Sequence, residues 1–139
     1  RHELEGIYED LRGMAGEYEI PVWTASQANR SALEEDVIDA SKVSESYGKV
    51  MVADFVLSLS RKIQDKLAGT GRWHVIKNRF GPDGITLPSK MNLSNGQFNI
   101  YTDTSLQGQN TQKQMDKGDE LTKQLLARKY KETQNEGFE

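Results

Sequence analysis

Residues 72–84 read Arg72-Trp73-His74-Val75-Ile76-Lys77-Asn78-Arg79-Phe80-Gly81-Pro82-Asp83-Gly84. An apolar run that meets Gly-Pro-Asp-Gly is a strand entering a tight turn. Side chains alternate along a strand, so Lys77 and Arg79 are expected to project to one side. Two like charges held side by side repel unless something anionic lies between them, and a phosphate chain is the obvious candidate. Arg offers a planar fork that matches phosphate oxygens, while Lys acts as a point charge. The plain alternative is a pair of solvated cations on an edge strand, with Asp83 as a nearby counter-ion for Arg79.

Working outward, the turn leads into Ile85-Thr86-Leu87, which completes a β-hairpin, and Ser94-Asn95-Gly96 introduces a last strand over 97–101. Upstream, Phe55-Val56-Leu57-Ser58-Leu59 reads as a second buried strand. Residues 2–18 place Leu4, Ile7, Tyr8, Leu11, Met14 or Ala15, and Tyr18 at three- and four-residue steps, the stripe of an amphipathic helix. Glu17, Glu19 and Pro21 break that pattern, and the apolar run Ile20–Ala25 follows as a strand. A helix leading into a buried strand is a common unit of a parallel sheet.

That strand ends in Ser26-Gln27-Ala28-Asn29-Arg30. The carboxyl end of a buried strand is where open α/β sheets bind ligands, so Gln27 is a candidate to sense a phosphate or orient a water. Its plain alternative is a cap at the passage from strand to loop. Residues 29–46 carry Glu34, Glu35, Asp36 and Asp39 with few apolar anchors, the composition of a long mobile loop with a short helix near its end. Residues 61–71 resemble an exposed hairpin connection. From Thr102 the composition changes: 105–118 is rich in Gln, Asn, Gly and Lys, as in linkers. Residues 119–131 then place Leu121, Leu125, Leu126 and Tyr130 on one helical face, to dock on their own domain or on a partner.

Composition narrows the classes of function. The 139 residues allow one domain with a core, and the apolar fraction of 35% is low. A net charge of -3 is not that of a protein that coats nucleic acid. The absence of cysteine excludes disulfides, thiol catalysis and cysteine-held metals, and two distant histidines make a histidine-rich metal site improbable. No apolar run approaches the ~20 residues that span a bilayer, and no secretory signal is evident, so a cytoplasmic location is expected. No G-x-x-x-x-G-K-[ST] loop occurs, and no apolar strand ends in a magnesium-holding Asp. The chain cannot bind ATP in the P-loop manner by itself. Arg1 opens inside a helical pattern, and the sequence reads as a piece of something longer.

The chain resembles the C-terminal part of the RecA-like motor of DnaB-type hexameric replicative helicases, especially those of bacteriophages. The resemblance covers about residues 1–101. "IPVWTASQANR" is similar to the family's strand ending in Ser-Gln-x-Asn-Arg, "SESYGKVMVADFVLSLSR" to the helix that leads through Ala-Asp into a buried strand, and "VIKNRFGPDG" to the Lys-x-Arg-x-Gly-Pro-x-Gly signature. The resemblance implies a partial RecA-like, P-loop NTPase type α/β fold: a mostly parallel sheet with a C-terminal β-hairpin region and flanking helices. Residues 1–103 would belong to the ATPase domain and 104–139 to a flexible linker with a helical or disordered tail.

It further implies that Gln27 senses the γ-phosphate and that Lys77 and Arg79 reach the nucleotide site of the neighbouring subunit, Arg79 as the arginine finger. The family's DNA-binding loop falls at roughly 29–42, which makes Asn29, Arg30 and Lys42 candidates for contact with single-stranded DNA. Two cations against four acids make side-chain contacts there a departure from the family's pattern. ATP and Mg²⁺ are implied as ligands of the whole protein. Implied partners are further copies in a hexameric ring and, through the tail, a primase, helicase loader or polymerase. The isolated piece is expected to be inactive. The rival readings are a RecA- or KaiC-like recombination or regulatory ATPase, and a non-enzymatic α/β module whose cationic hairpin binds nucleic acid or an acidic protein.

Overall fold

A computed structural model describes residues 2–28, 35–42 and 47–136, with side chains over 6–28, 35–41 and 48–133. The elements in chain order are α1 (His2–Tyr18), a 3₁₀ turn (Ala40–Lys42), α2 (Tyr47–Val52), β1 (Phe55–Ser60), α3 (Ile63–Ala68), β2 (Thr70–Asn78), β3 (Thr86–Asn92), β4 (Gln97–Ile100) and α4 (Leu106–Glu136). The strand order is β1-β2-β3-β4. Two compact units divide the chain, Arg1–Ser60 with Arg72–Thr86, and Arg61–Gly71 with Leu87–Glu139.

In the first unit, α1 ends where the pattern of its residues predicts. Glu19 takes a left-handed conformation, φ 52°, and the Ile20 N–H reaches back to the Ala15 carbonyl at 3.1 Å. This is the six-to-one bond of a Schellman stop, with glutamate where glycine is usual. Helix α2 packs beside α1, and the Lys49 ammonium lies 5.6 Å from the centre of the Tyr8 ring. Strand β1 runs antiparallel to β2, with Phe55 opposite Asn78 and Val56 opposite Lys77. A bulge then shifts the register so that Leu57 faces Val75. Among the described residues of this unit, Val50 and Val75 are the buried apolar side chains.

The hairpin after β2 forms as its turn residues require. Gly84 has φ 72°, its N–H bonds to the Val75 carbonyl at 2.8 Å, and the Val75 N–H bonds to Ile85 at 2.9 Å. The described part of the acidic segment is pinned to β1. Ser58 and Ser60, two residues apart and so on one face, each donate an Oγ–H bond of 2.6 Å, to the carbonyls of Ile38 and Asp36. The mobile loop expected over 29–46 is thus tethered where it can be seen, while residues 29–34 and 43–46 lie outside the described residues.

Residues 20–25, expected as a buried strand, run as irregular chain on through Gln27, and Ala28 makes an isolated bridge. Trp23 is 77% exposed, and its ring meets Phe55 edge-on with centroids 6.2 Å apart. An apolar run becomes a strand only where another strand offers it a ladder, and among the described residues no strand pairs with this run. The expected sheet was mostly parallel; β1 with β2 and β3 with β4 pair antiparallel.

The second unit corrects two expectations. Residues 61–71 contain a helix, α3, rather than a plain hairpin connection. Asp65 accepts the Lys62 N–H at 3.0 Å and the Thr70 hydroxyl at 3.0 Å, and is itself 1% exposed. Gly69 closes α3 at φ 65°, and a Cβ there would stand 3.0 Å from the Met91 carbonyl, so glycine is required twice over. Residues 105–118, read as linker, form the first half of α4. Ser105 caps it by accepting the Gly108 N–H at 3.0 Å. Among the described residues of this unit Met91 and Met115 are buried, and so are the hydroxyl-bearing Thr70, Ser89 and Thr111. Strand β4 pairs with β3 from Gln97 opposite Asn92, as the turn before it predicts.

Candidate functional site

The two cations of the opening stretch converge on one place, the junction between α2 and β1 in the first unit. Lys77 donates from Nζ to the carbonyls of Val50 at 3.0 Å and Met51 at 2.8 Å. These belong to the last turn of α2, where carbonyls lack helical partners and the helix dipole is negative. Arg79 forms an ion pair from its guanidinium to Asp54 Oδ1 at 2.9 Å, and its backbone N–H donates to the Asp54 carbonyl at 2.9 Å. The anion that two neighbouring cations need is therefore supplied from within, by a helix end for one and a carboxylate for the other.

The register explains this arrangement. Phe55 faces Asn78, so the next pair toward the strand ends is Asp54 with Arg79. Asp83, the nearer residue in sequence and the expected counter-ion, is not the partner of this ion pair. Arg12 of α1 brings a second guanidinium to Asp54 Oδ1 at 3.2 Å and also donates to the Val52 carbonyl. The Asp54 Oδ1 atom is covered from solvent. Arg79 nevertheless keeps 44% of its side chain exposed. The guanidinium meets Asp54 through Nη1, as an ion pair without a hydrogen bond.

The turn beyond Arg79 is locked by Asn78. Its side-chain oxygen accepts the Phe80 N–H at 3.1 Å, and its amide donates to the Pro82 carbonyl at 3.1 Å. A Cβ on Gly81 would lie 3.1 Å from that amide, so the turn has little room for a larger residue. Phe80 at the tip is 82% exposed.

Gln27 is exposed and lines a hollow of about 790 Å³ that Ile20, Trp23, Asp54, Phe55 and Phe80 also line. Ser26 beside it accepts a 3.2 Å bond from Lys49 Nζ. Asn29 and Arg30 lie outside the described residues, and Lys42 closes the 3₁₀ turn with its side chain likewise outside them. The structure thus brings Lys77 and Arg79 together and puts Gln27 on the same hollow as Asp54. Sequence reasoning missed Asp54 and Arg12. The signal was present: Asp54 immediately precedes β1, and in an antiparallel pair that position answers the one just after β2.

Among the described residues, no group of three His, Asp or Glu side chains stands ready for a metal ion, and no helix is long and apolar enough to cross a membrane. No protein-family profile matches the chain. Over 78 residues it is 32% identical to a DnaB-like replicative helicase of Enterobacteria phage T4. The match takes in 56% of this chain and 16% of the length of that relative, and it supports a helicase relationship for this part of the molecule.

Proposed function

We propose that this chain is part of the ATP-driven motor of a replicative DNA helicase, in a partial RecA-like fold, and that it completes a nucleotide site held by a neighbouring subunit. The observation that carries the reading is the pairing of Lys77 and Arg79 at one junction, with the Arg79 fork half exposed beyond its Asp54 contact. The likeness to the phage T4 protein agrees with it. So does the apolar hollow, where Trp23 and Phe80 stand more than three-quarters exposed, as expected of a motor surface that meets further protein.

In this reading the outward edge of Arg79 meets the γ-phosphate of ATP bound by the adjacent subunit. An arginine delivered in that way stabilises the charge of phosphoryl transfer and contributes roughly 10³–10⁵ in rate. Lys77 holds the end of α2 and adds positive potential beside the finger. Gln27 senses the phosphate through its amide, and the segment after it, with Asn29, Arg30 and Lys42, carries the change toward single-stranded DNA. Magnesium supplies charge neutralisation at the phosphates, and its ligands are expected from the subunit that holds the nucleotide.

The experiment is ATP turnover by the intact protein with and without single-stranded DNA. Turnover stimulated by the strand is expected. Absence of turnover removes the helicase reading and favours the non-enzymatic module, whereas turnover blind to DNA removes it in favour of a regulatory ATPase.

A further inference from the structure

The proposed finger has a fixed neighbour to which the sequence reading assigned no role. We infer that Asp54 is a positioning residue for Arg79: it holds one edge of the guanidinium so that the other edge is aimed at the γ-phosphate of the adjacent subunit. The inference rests on the reading of Arg79 as a finger and goes beyond it by naming what orients the finger.

Three contacts support it. The Asp54 carbonyl accepts the Arg79 N–H at 2.9 Å, which fixes the backbone of the finger at the strand end. The Asp54 Oδ1 atom pairs with the guanidinium at 2.9 Å, which fixes its side chain. Arg12 approaches the same oxygen at 3.2 Å and bonds to the Val52 carbonyl, so Asp54 is itself held from α1. The shared oxygen is covered but forms no hydrogen bond, and both side chains stay about two-fifths exposed, so the ion pair orients Arg79 more than it stabilises the fold. Arg carries five N–H donors in a rigid fork, and a pair through one of them leaves the remaining donors to grip phosphate. A long side chain free to rotate would instead lose entropy on every engagement. The alternative role for Asp54, a purely structural tie between α1, α2 and β2, uses the same contacts and differs in what it predicts.

The test is a double-mutant cycle in the intact protein, with steady-state ATP turnover in the presence of single-stranded DNA. Arg79→Ala is expected to lower kcat by at least a hundredfold. Asp54→Asn is expected to lower kcat about tenfold or more while KM for ATP changes less than threefold, and to add nothing in the Arg79→Ala background. Asp54→Glu, which keeps the charge, is expected to recover part of the loss and also serves if Asp54→Asn fails to assemble. The positioning role is overturned if Arg79→Ala is severe and Asp54→Asn turns over normally. It is equally overturned if the two losses multiply, which is the mark of a structural tie. Near-normal turnover in Arg79→Ala would instead strike the finger reading itself, a separate result.

Discussion

Arg79 is bound to Asp54 twice, backbone to backbone and guanidinium to carboxylate, each at 2.9 Å. Lys77, two residues earlier, is bound to no carboxylate at all in its short contacts with the end of α2. Two cations that look equivalent in sequence therefore have different work in the fold. One clamps a helix end with its ammonium; the other pairs with a carboxylate and stays partly exposed.

That difference predicts opposite mutational profiles. Lys77→Ala removes two charge-assisted bonds to carbonyls that have no helical partner, and should destabilise the first unit by about 1–3 kcal/mol. Arg79→Ala removes an ion pair that is partly exposed, and should cost about 1 kcal/mol or less. Urea unfolding of the two variants checks this. An equal loss for both would mean that the Lys77 contacts with α2 contribute nothing special.

The stop of α1 offers a gain. Glu19 holds φ 52°, a conformation that costs a residue with a Cβ about 1 kcal/mol or more. Glu19→Gly should therefore stabilise the first unit by about 1 kcal/mol, read as a higher unfolding midpoint with unchanged helical content. A lower midpoint would contradict the left-handed stop.

Gly108 makes the sharpest packing prediction. A Cβ at that position would fall 1.9 Å from the Thr102 carbonyl oxygen and 2.9 Å from the Ser105 hydroxyl. The Thr102 oxygen already accepts bonds from the Ser105 N–H and Oγ. Gly108→Ala should push the first turn of α4 off its cap and cost about 1–3 kcal/mol. Amide exchange at residues 108–112 should quicken in the variant. Glycine normally weakens a helix relative to alanine, so a stabilised variant would contradict this close approach.

How much of this was legible beforehand differs from residue to residue. β1, β2 and β4 and the turns at Gly84 and Gly96 follow from local chemistry: apolar alternation and glycines that need positive φ. α1 follows from its periodic stripe. α3 was hidden because its six residues are too few to show a period, and what folds it is the buried Asp65 bonding to Thr70. α4 was half hidden because Gln, Asn and Gly over 105–118 mimic a linker; there Met115 and Thr111 are buried, and Gln64 of α3 with Lys62 just before it holds Asp119. The site was half legible in the same way. Lys77 and Arg79 announced themselves by spacing, whereas Asp54 became a partner only through the pairing register of β1 with β2. Residues 20–25 failed as a strand because strand formation needs a second strand, which no property of the run itself supplies.

The central claim is that Arg79 acts on a nucleotide held by another subunit. Mixing tests it most directly: intact wild-type protein is combined with increasing Arg79→Ala protein, and DNA-stimulated ATP turnover is followed together with nucleotide binding. Arg79→Ala subunits are expected to bind nucleotide as well as wild type and to depress turnover more steeply than dilution alone, because each poisons the site of its neighbour. A strictly proportional decline, or near-normal turnover by Arg79→Ala alone, would contradict it.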